Sequence, residues 1–166
     1  PAPPAPQPDW PIVQLGRQGR IYSEVYSLRS RRKRIWVNQQ DATRTEERDR
    51  GLQVAIADEL AARGRKQEQQ ATIVALSSAE YAQVLRQSIV IIPLWNAAAN
   101  NSVLEIIATT TPAFVSRLPA TEEYLGMQYP MLYSDPAEID RIVDDMPALT
   151  TLMTRARQHL LKLDPT

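Results

Sequence analysis

Apolar residues along this chain fall into short runs, and between the runs they recur at helical spacing. Residues 10–16 (WPIVQLG) form a compact apolar run closed by glycine, the pattern of a buried parallel strand entering a turn. Residues 19–28 then place Ile21, Val25 and Leu28 at helical spacing, so strand, loop and helix follow one another. RIWVNQ at 34–39 reads as a second strand. A long helix is predicted over 45–62, with Leu52, Ile56 and Leu60 on one face and Gly64 as its stop. ATIVALS at 71–77 is a third strand, Ser78 caps a helix over 78–85, and SIVIIPL at 88–94 is the most strand-like run of all. A helix over 100–109, a strand over 111–116, a short helix over 120–125, a strand over 130–133 and a helix over 136–143 follow. The chain ends in an amphipathic helix over 147–163 whose stripe is Leu149, Leu152, Met153, Ala156, Leu160 and Leu163.

Strands that alternate with helices imply right-handed crossovers and a mainly parallel sheet covered on both faces. The fold class expected is therefore α/β: a Rossmann-like three-layer domain with about six strands and a C-terminal amphipathic helix. Ligands of such sheets bind at the C-terminal ends of strands, so function is sought in the loops after Leu15, Leu76, Leu94 and Val115.

Length and composition narrow this picture. A chain of 166 residues with 43% hydrophobic content suits one core, read as a single domain over 10–166 behind a proline-rich linker at 1–9 (PAPPAPQPD). There is no cysteine and one histidine, which excludes disulfide frameworks, thiolate nucleophiles and zinc clusters. His159 lies beside the apolar stripe of the last helix and reads as structural. No apolar run approaches the ~20 residues of a membrane span, and the start has no signal-peptide pattern, so a cytoplasmic location is expected.

Net charge is zero, yet residues 1–70 carry 13 Lys/Arg against 9 Asp/Glu. The excess lies largely in RSRRKR at 29–34, readable either as a solvated basic turn or as a site for phosphates or an acidic surface. A nucleic-acid role is not expected, because no aromatic residues interleave with the run.

Neither G-x-x-x-x-G-K-[ST] nor G-x-G-x-x-G occurs, and GRQG at 16–19 has the wrong spacing for either. No Asp-x-Asp follows a strand, so neither a metal nor a cofactor is expected.

The specific stretch is 89–126. A buried strand ends at Pro93 and Leu94, a loop of small and amide residues follows, and Asn100, Asn101 or Ser102 caps a helix that carries Glu105 in its first turn. A helix N-terminus with free N–H groups is a site for a diphosphate, and a carboxylate one turn in can accept hydrogen bonds from ribose hydroxyls. The plainer reading, in which the amides only cap and Glu105 only decorates the first turn, stands equally on local physics.

The order SIVIIPL, WNAAANNS, VLEIIA, TTPAFVS, LPATEEYLG resembles the donor-binding C-terminal domain of glycosyltransferases of the two-domain GT-B kind. The resemblance implies an α/β domain that binds a nucleotide diphosphate sugar for metal-independent transfer to an acceptor held by an N-terminal partner domain. It is most specific from the paired asparagines to Leu125 and Gly126. Glu105 then corresponds to the ribose-binding glutamate, while the first glutamate of the usual pair falls at Ala97 and is absent. IVQLGRQGRIY resembles the strand and Gly-Arg turn facing the donor phosphates, which implicates Gly16, Arg17 and Arg20. VALSSAEYAQVL resembles the segment framing the base, which implicates Leu76, Ser77 and Tyr81. Asn100, Asn101 and Ser102 would hold the diphosphate, and Glu122 or Glu123 the far side of the site. Read from the residues alone, each arginine can equally be solvent-exposed.

Two rivals are carried forward. One is a degenerate glycosyltransferase half kept as an interaction or scaffold domain, for which Ala97 is the argument. The other is a flavodoxin-like or receiver-like signalling domain, which usually has acids where Gln14, Leu15 and Gly16 stand here.

Overall fold

The structure is a computed structural model and describes residues 3–38, 46–96 and 101–163. Six strands form one all-parallel sheet: β1 (Ile12–Leu15), β2 (Arg34–Val37), β3 (Thr72–Val74), β4 (Ile89–Ile92), β5 (Ala113–Ser116) and β6 (Leu132–Tyr133). Their spatial order is β3-β2-β1-β4-β5-β6. Every residue of β1, β4 and β5 is buried, as strands covered by helices on both faces require. β1 pairs with β2 on one side (Val13 opposite Ile35) and with β4 on the other (Val13 opposite Val90). The chain thus builds outward from β1 in one direction, returns, and builds outward in the other. The switch point lies between β1 and β4, where the crevice of such a fold opens. This order is not the 2-1-3-4-5 arrangement of flavodoxin-like and receiver-like sheets, which removes that rival.

The helices are α1 (Glu24–Ser27), α2 (Glu46–Ala62), α3 (Ser78–Arg86), α4 (Asn101–Ala108), α5 (Pro119–Leu125), α6 (Pro136–Asp140) and α7 (Met146–Leu163). The stripe of α7 behaves as its spacing predicts: Leu149, Met153, Ala156 and Leu160 are buried. His159 is structural. Its Nε2 lies 2.6 Å from the carbonyl of Leu125, and its ring packs beside Tyr129, so α7 is tied to the end of α5.

The first helix departs most from the pattern, because a single turn stands where 19–28 predicts a continuous helix. Gly19 has φ +69°, Arg20 bridges antiparallel to Leu94, and Ile21 N–H donates to Pro93 O at 3.0 Å. Those backbone groups are held by the end of β4 and are unavailable to a helix. Ile21, Val25 and Leu28 are nevertheless all buried, so the apolar spacing correctly marks the core and misjudges the conformation. The third strand stops at Val74 because Ser77 already serves α3. Ser77 Oγ accepts from Glu80 N–H, and the Glu80 carboxylate accepts from Ser77 N–H, a reciprocal capping box. The start of the 45–62 helix at Thr45, the end of the second strand at Gln39, the cap Asn100 and Ala97 lie outside the described residues.

The basic run is neither wholly solvated nor wholly an anion site. Arg29, Arg31 and Lys33 are exposed, while Ser30, Arg32 and Arg34 are buried. Arg32 Nη1 donates to the carbonyls of Gln7 (2.9 Å), Pro8 (2.9 Å) and Trp10 (3.0 Å), and its Nε to Val143 O at 3.2 Å. The end of the proline-rich segment is therefore fastened to the domain by one guanidinium.

Candidate functional site

The loop between β1 and α1 has to reverse direction within a few residues and still approach the end of β4. Gly16 (φ +79°) and Gly19 (φ +69°) supply the left-handed conformations this needs. Both also sit where a side chain does not fit: a Cβ on Gly16 would lie 2.8 Å from Arg20 Nη2, and one on Gly19 would lie 3.0 Å from Asn96 O. Trp36 Nε1 donates to Gly16 O at 2.7 Å, and Trp95 N–H donates to Gly19 O at 2.9 Å. The loop is thus pinned from β2 on one side and from the end of β4 on the other.

Arg20 is the centre of this arrangement. Its Nε donates to Leu15 O (2.7 Å), Nη1 to Gln18 O (2.9 Å) and Nη2 to Ser102 Oγ (2.7 Å). Burial brings the guanidinium down from its ordinary 12.5 to about 10, the nearby Tyr81 acting weakly the other way. At neutral pH the group stays charged, so a fixed positive charge stands beside the first turn of α4.

Around it opens a cleft of about 1100 Å³ at the C-terminal edge of the sheet. One wall is the loop from Gly16 to Arg20 with Val37 and Asn38, and a second is the face of α3 that carries Ser78, Tyr81, Ala82, Leu85 and Arg86. The third comprises Asn96, Asn101, Ser102, Glu105, Thr109 and Thr111. Its charged residues are Arg17, Arg20 and Arg86 against Glu105, a balance that favours an anion. Tyr81 Oη donates to Glu105 Oε2 at 2.6 Å, bridging α3 and α4 across the cleft. Burial first, and then the Glu105 carboxylate, raise the phenol above its ordinary value and keep it protonated as a donor.

Of the residues singled out in the sequence, Gly16, Arg17, Arg20, Asn101, Ser102 and Glu105 line this one cleft, together with Tyr81. Ser77 does not line it; its hydroxyl is engaged in the α3 cap, and Ser78 takes the place on the wall. Glu122 and Glu123 lie on α5 outside the lining, and Glu122 pairs with Arg117 Nη1 at 2.8 Å. Asn100 lies outside the described residues. Asn38, Arg86, Asn96 and Thr111 join the site unannounced, because each comes from an element whose local pattern speaks only of strand end, helix or loop.

Neither a family model nor a curated protein matches the chain. Among solved structures it is similar to a sucrose-phosphate synthase from Thermosynechococcus elongatus, with TM-score 0.63 and 18% identity over 95% of this chain. The likeness is one of fold. The chain spans 42% of the length of that neighbour, a GT-B enzyme, and its six-stranded parallel sheet fits the C-terminal domain of that architecture. No helix among the described residues is long and apolar enough to cross a membrane.

Proposed function

We propose that the chain is the donor-binding half of a glycosyltransferase and that its cleft holds a nucleotide diphosphate sugar. The observation that supports this most is the convergence of the Gly16–Arg20 loop, the first turn of α4 and Glu105 on one cleft at the switch point of the sheet. The backbone N–H groups of Asn101 and Ser102, the side chain of Arg17 and the charge of Arg20 would stabilise the diphosphate, including the negative charge that develops as it leaves the sugar. In this reading they supply the field that a metal supplies elsewhere. Three of the five Arg20 N–H donors are held by Leu15 O, Gln18 O and Ser102 Oγ, so it acts by position and charge with one N–H each on Nη1 and Nη2 left for the ligand.

Glu105 takes the ribose. A carboxylate has two oxygens and room for several donors, so Oε1 remains for a ribose hydroxyl while Oε2 accepts from Tyr81. The acceptor and any general base belong to a partner domain, and the domain by itself binds donor without turnover.

A second reading keeps the same fold as a scaffold without donor binding, and Ala97 in place of the first glutamate is the residue that favours it. Calorimetric titration with UDP, GDP and ADP and their sugar conjugates, without metal, decides between them. Binding of one nucleotide, weakened by about 1–3 kcal/mol in both Glu105→Ala and Asn101→Ala, supports the donor reading. No binding of any nucleotide at millimolar concentration leaves the scaffold reading.

A further inference from the structure

The run at 29–34 has work left over once its buried half is explained. At the end of the sheet opposite the cleft, where the chain enters β1 and β2, Pro8, Arg29, Arg31, Arg32 and Asp144 line a second concavity of about 510 Å³. Its floor is rigid. Arg32 is fastened to the carbonyls of Gln7, Pro8, Trp10 and Val143, and Arg34 Nη2 donates to Leu28 O at 2.8 Å and to Ser30 O.

The acids that face this loop already have partners. Asp140 Oδ1 accepts from Arg29 N–H at 2.8 Å, and Oδ2 lies 3.6 Å from Arg65 Nη2. Asp144 Oδ1 accepts from Ser30 Oγ at 2.8 Å and lies 3.3 Å from Arg32 Nε. The guanidinium groups of Arg29 and Arg31 have no carboxylate partner among the described residues. Two exposed cations, two residues apart on a clamped backbone, therefore face one concavity whose single lining acid is committed to Arg32.

We propose that this concavity is a second anion site, distinct from the cleft, which takes a phosphoryl group between Arg29 and Arg31. A guanidinium presents paired N–H donors that match two oxygens of a phosphoryl group, and two such forks suit a dianion better than a carboxylate or a halide. Because the backbone is held by Arg32 and Arg34, little ordering is needed beyond the two side chains themselves. The phosphoryl group can come from a freely diffusing phosphorylated compound or from a lipid headgroup, and the two sources are separable.

The test follows the arginine Nε–Hε resonances of the 15N-labelled chain, assigned by their loss in Arg29→Gln and Arg31→Gln, during titration with pyrophosphate. Sodium chloride at matched ionic strength is the control, and Asn101→Ala serves as a background in which the cleft is altered. In parallel, the chain is floated with phosphatidylcholine vesicles with and without phosphatidic acid. Saturable shifts of the Arg29, Arg31 and Arg32 signals, unchanged in Asn101→Ala and, for the Arg32 signal that remains in the Arg29→Gln/Arg31→Gln double variant, requiring about tenfold or more pyrophosphate there, support a site for diffusing phosphates. Flotation only with phosphatidic acid, lost in the double variant, supports a headgroup site. Shifts reproduced by chloride, binding that survives in the double variant, or no response in either arm overturns the proposal. Both substituted residues are exposed, and the buried Trp10 and Trp36 report that the variant is folded.

Discussion

Arg20 Nη2 donates to Ser102 Oγ at 2.7 Å, joining the loop after β1 to the first turn of α4 across 82 positions of sequence. The same guanidinium holds Leu15 O and Gln18 O, so one side chain sets the separation of the two walls that meet at the switch point. The site's geometry and the stability of the domain are therefore coupled at this residue.

Arg20→Ala should destabilise the domain by about 2–4 kcal/mol, because the buried carbonyl of Leu15 loses a charged donor and a void opens beside Gly16. Arg20→Lys should recover only part, since an ammonium cannot reach the three acceptors in one plane. Urea unfolding followed by tryptophan fluorescence measures both. A loss of less than about 0.5 kcal/mol in Arg20→Ala would show that the three hydrogen bonds are dispensable.

Tyr81→Phe removes the phenol hydroxyl from Glu105 without changing the shape of the wall. If Glu105 takes the ribose as proposed, the expected cost is about 0.5–1.5 kcal/mol in affinity for a ribonucleoside diphosphate, with no change for the 2′,3′-dideoxy form, because the effect then acts through that carboxylate. Equal losses for the two nucleotides would place Tyr81 in general wall packing instead. Thermal unfolding of the variant without nucleotide separates that outcome from simple instability.

Tyr129 is buried, and its hydroxyl both donates to Ala113 O (2.9 Å) and accepts from Ala113 N–H (3.0 Å). Burial raises its ionisation above the ordinary 10.0, and Tyr133 is raised for the same leading cause. Below pH 10 these phenols are protonated in both the folded and unfolded chain, and their contribution is fully present. Above it the unfolded chain ionises while the folded one resists, so the unfolded state binds fewer protons and stability falls with pH. Unfolding midpoints measured from pH 8 to 11.5 should be flat and then drop beyond about pH 10, with a shallower drop in Tyr129→Phe. That variant should cost about 1–2 kcal/mol at neutral pH.

Arg32→Gln should free the segment before Trp10, because a single guanidinium holds the carbonyls of Gln7, Pro8 and Trp10. The expected result is faster proteolytic cleavage before residue 10 and a loss of about 2–4 kcal/mol in stability, the buried carbonyl groups being left without donors. Cleavage at the wild-type rate would mean that Trp10 alone anchors the segment.

The sequence by itself determined the elements and their class. Fully apolar four-residue strands such as Ile89–Ile92 have only one environment that suits them, a parallel sheet covered on both faces, and the stripe of Met146–Leu163 has only one face to bury. Those are local patterns, an unbroken run of buried residues in the strands and burial every third and fourth residue in the helix. That Ser102 stands at a helix start and Glu105 one turn further on was legible for the same reason, since a helix start is a local feature.

Tertiary structure decided what no short-range pattern encodes. Whether 19–28 is helix or loop depends on Pro93 and Leu94 claiming the backbone of Ile21 and Arg20. Whether Arg20 points outward depends on Ser102, and whether Glu105 stands alone depends on Tyr81 from the helix before β4. The half-buried Glu122 and the exposed Glu123 read as site residues along the chain, yet α5 carries them outside the cleft lining, and Glu122 pairs with Arg117. Among basic residues at 29–34, alternation alone does not say which side turns inward; the carbonyls of Gln7, Pro8 and Trp10 select Arg32, and those of Leu28 and Ser30 select Arg34. In each case the deciding partner is an acceptor or donor brought close only by the order of strands in the sheet, which is why the chain's own periodicity carries the fold and leaves the site to packing.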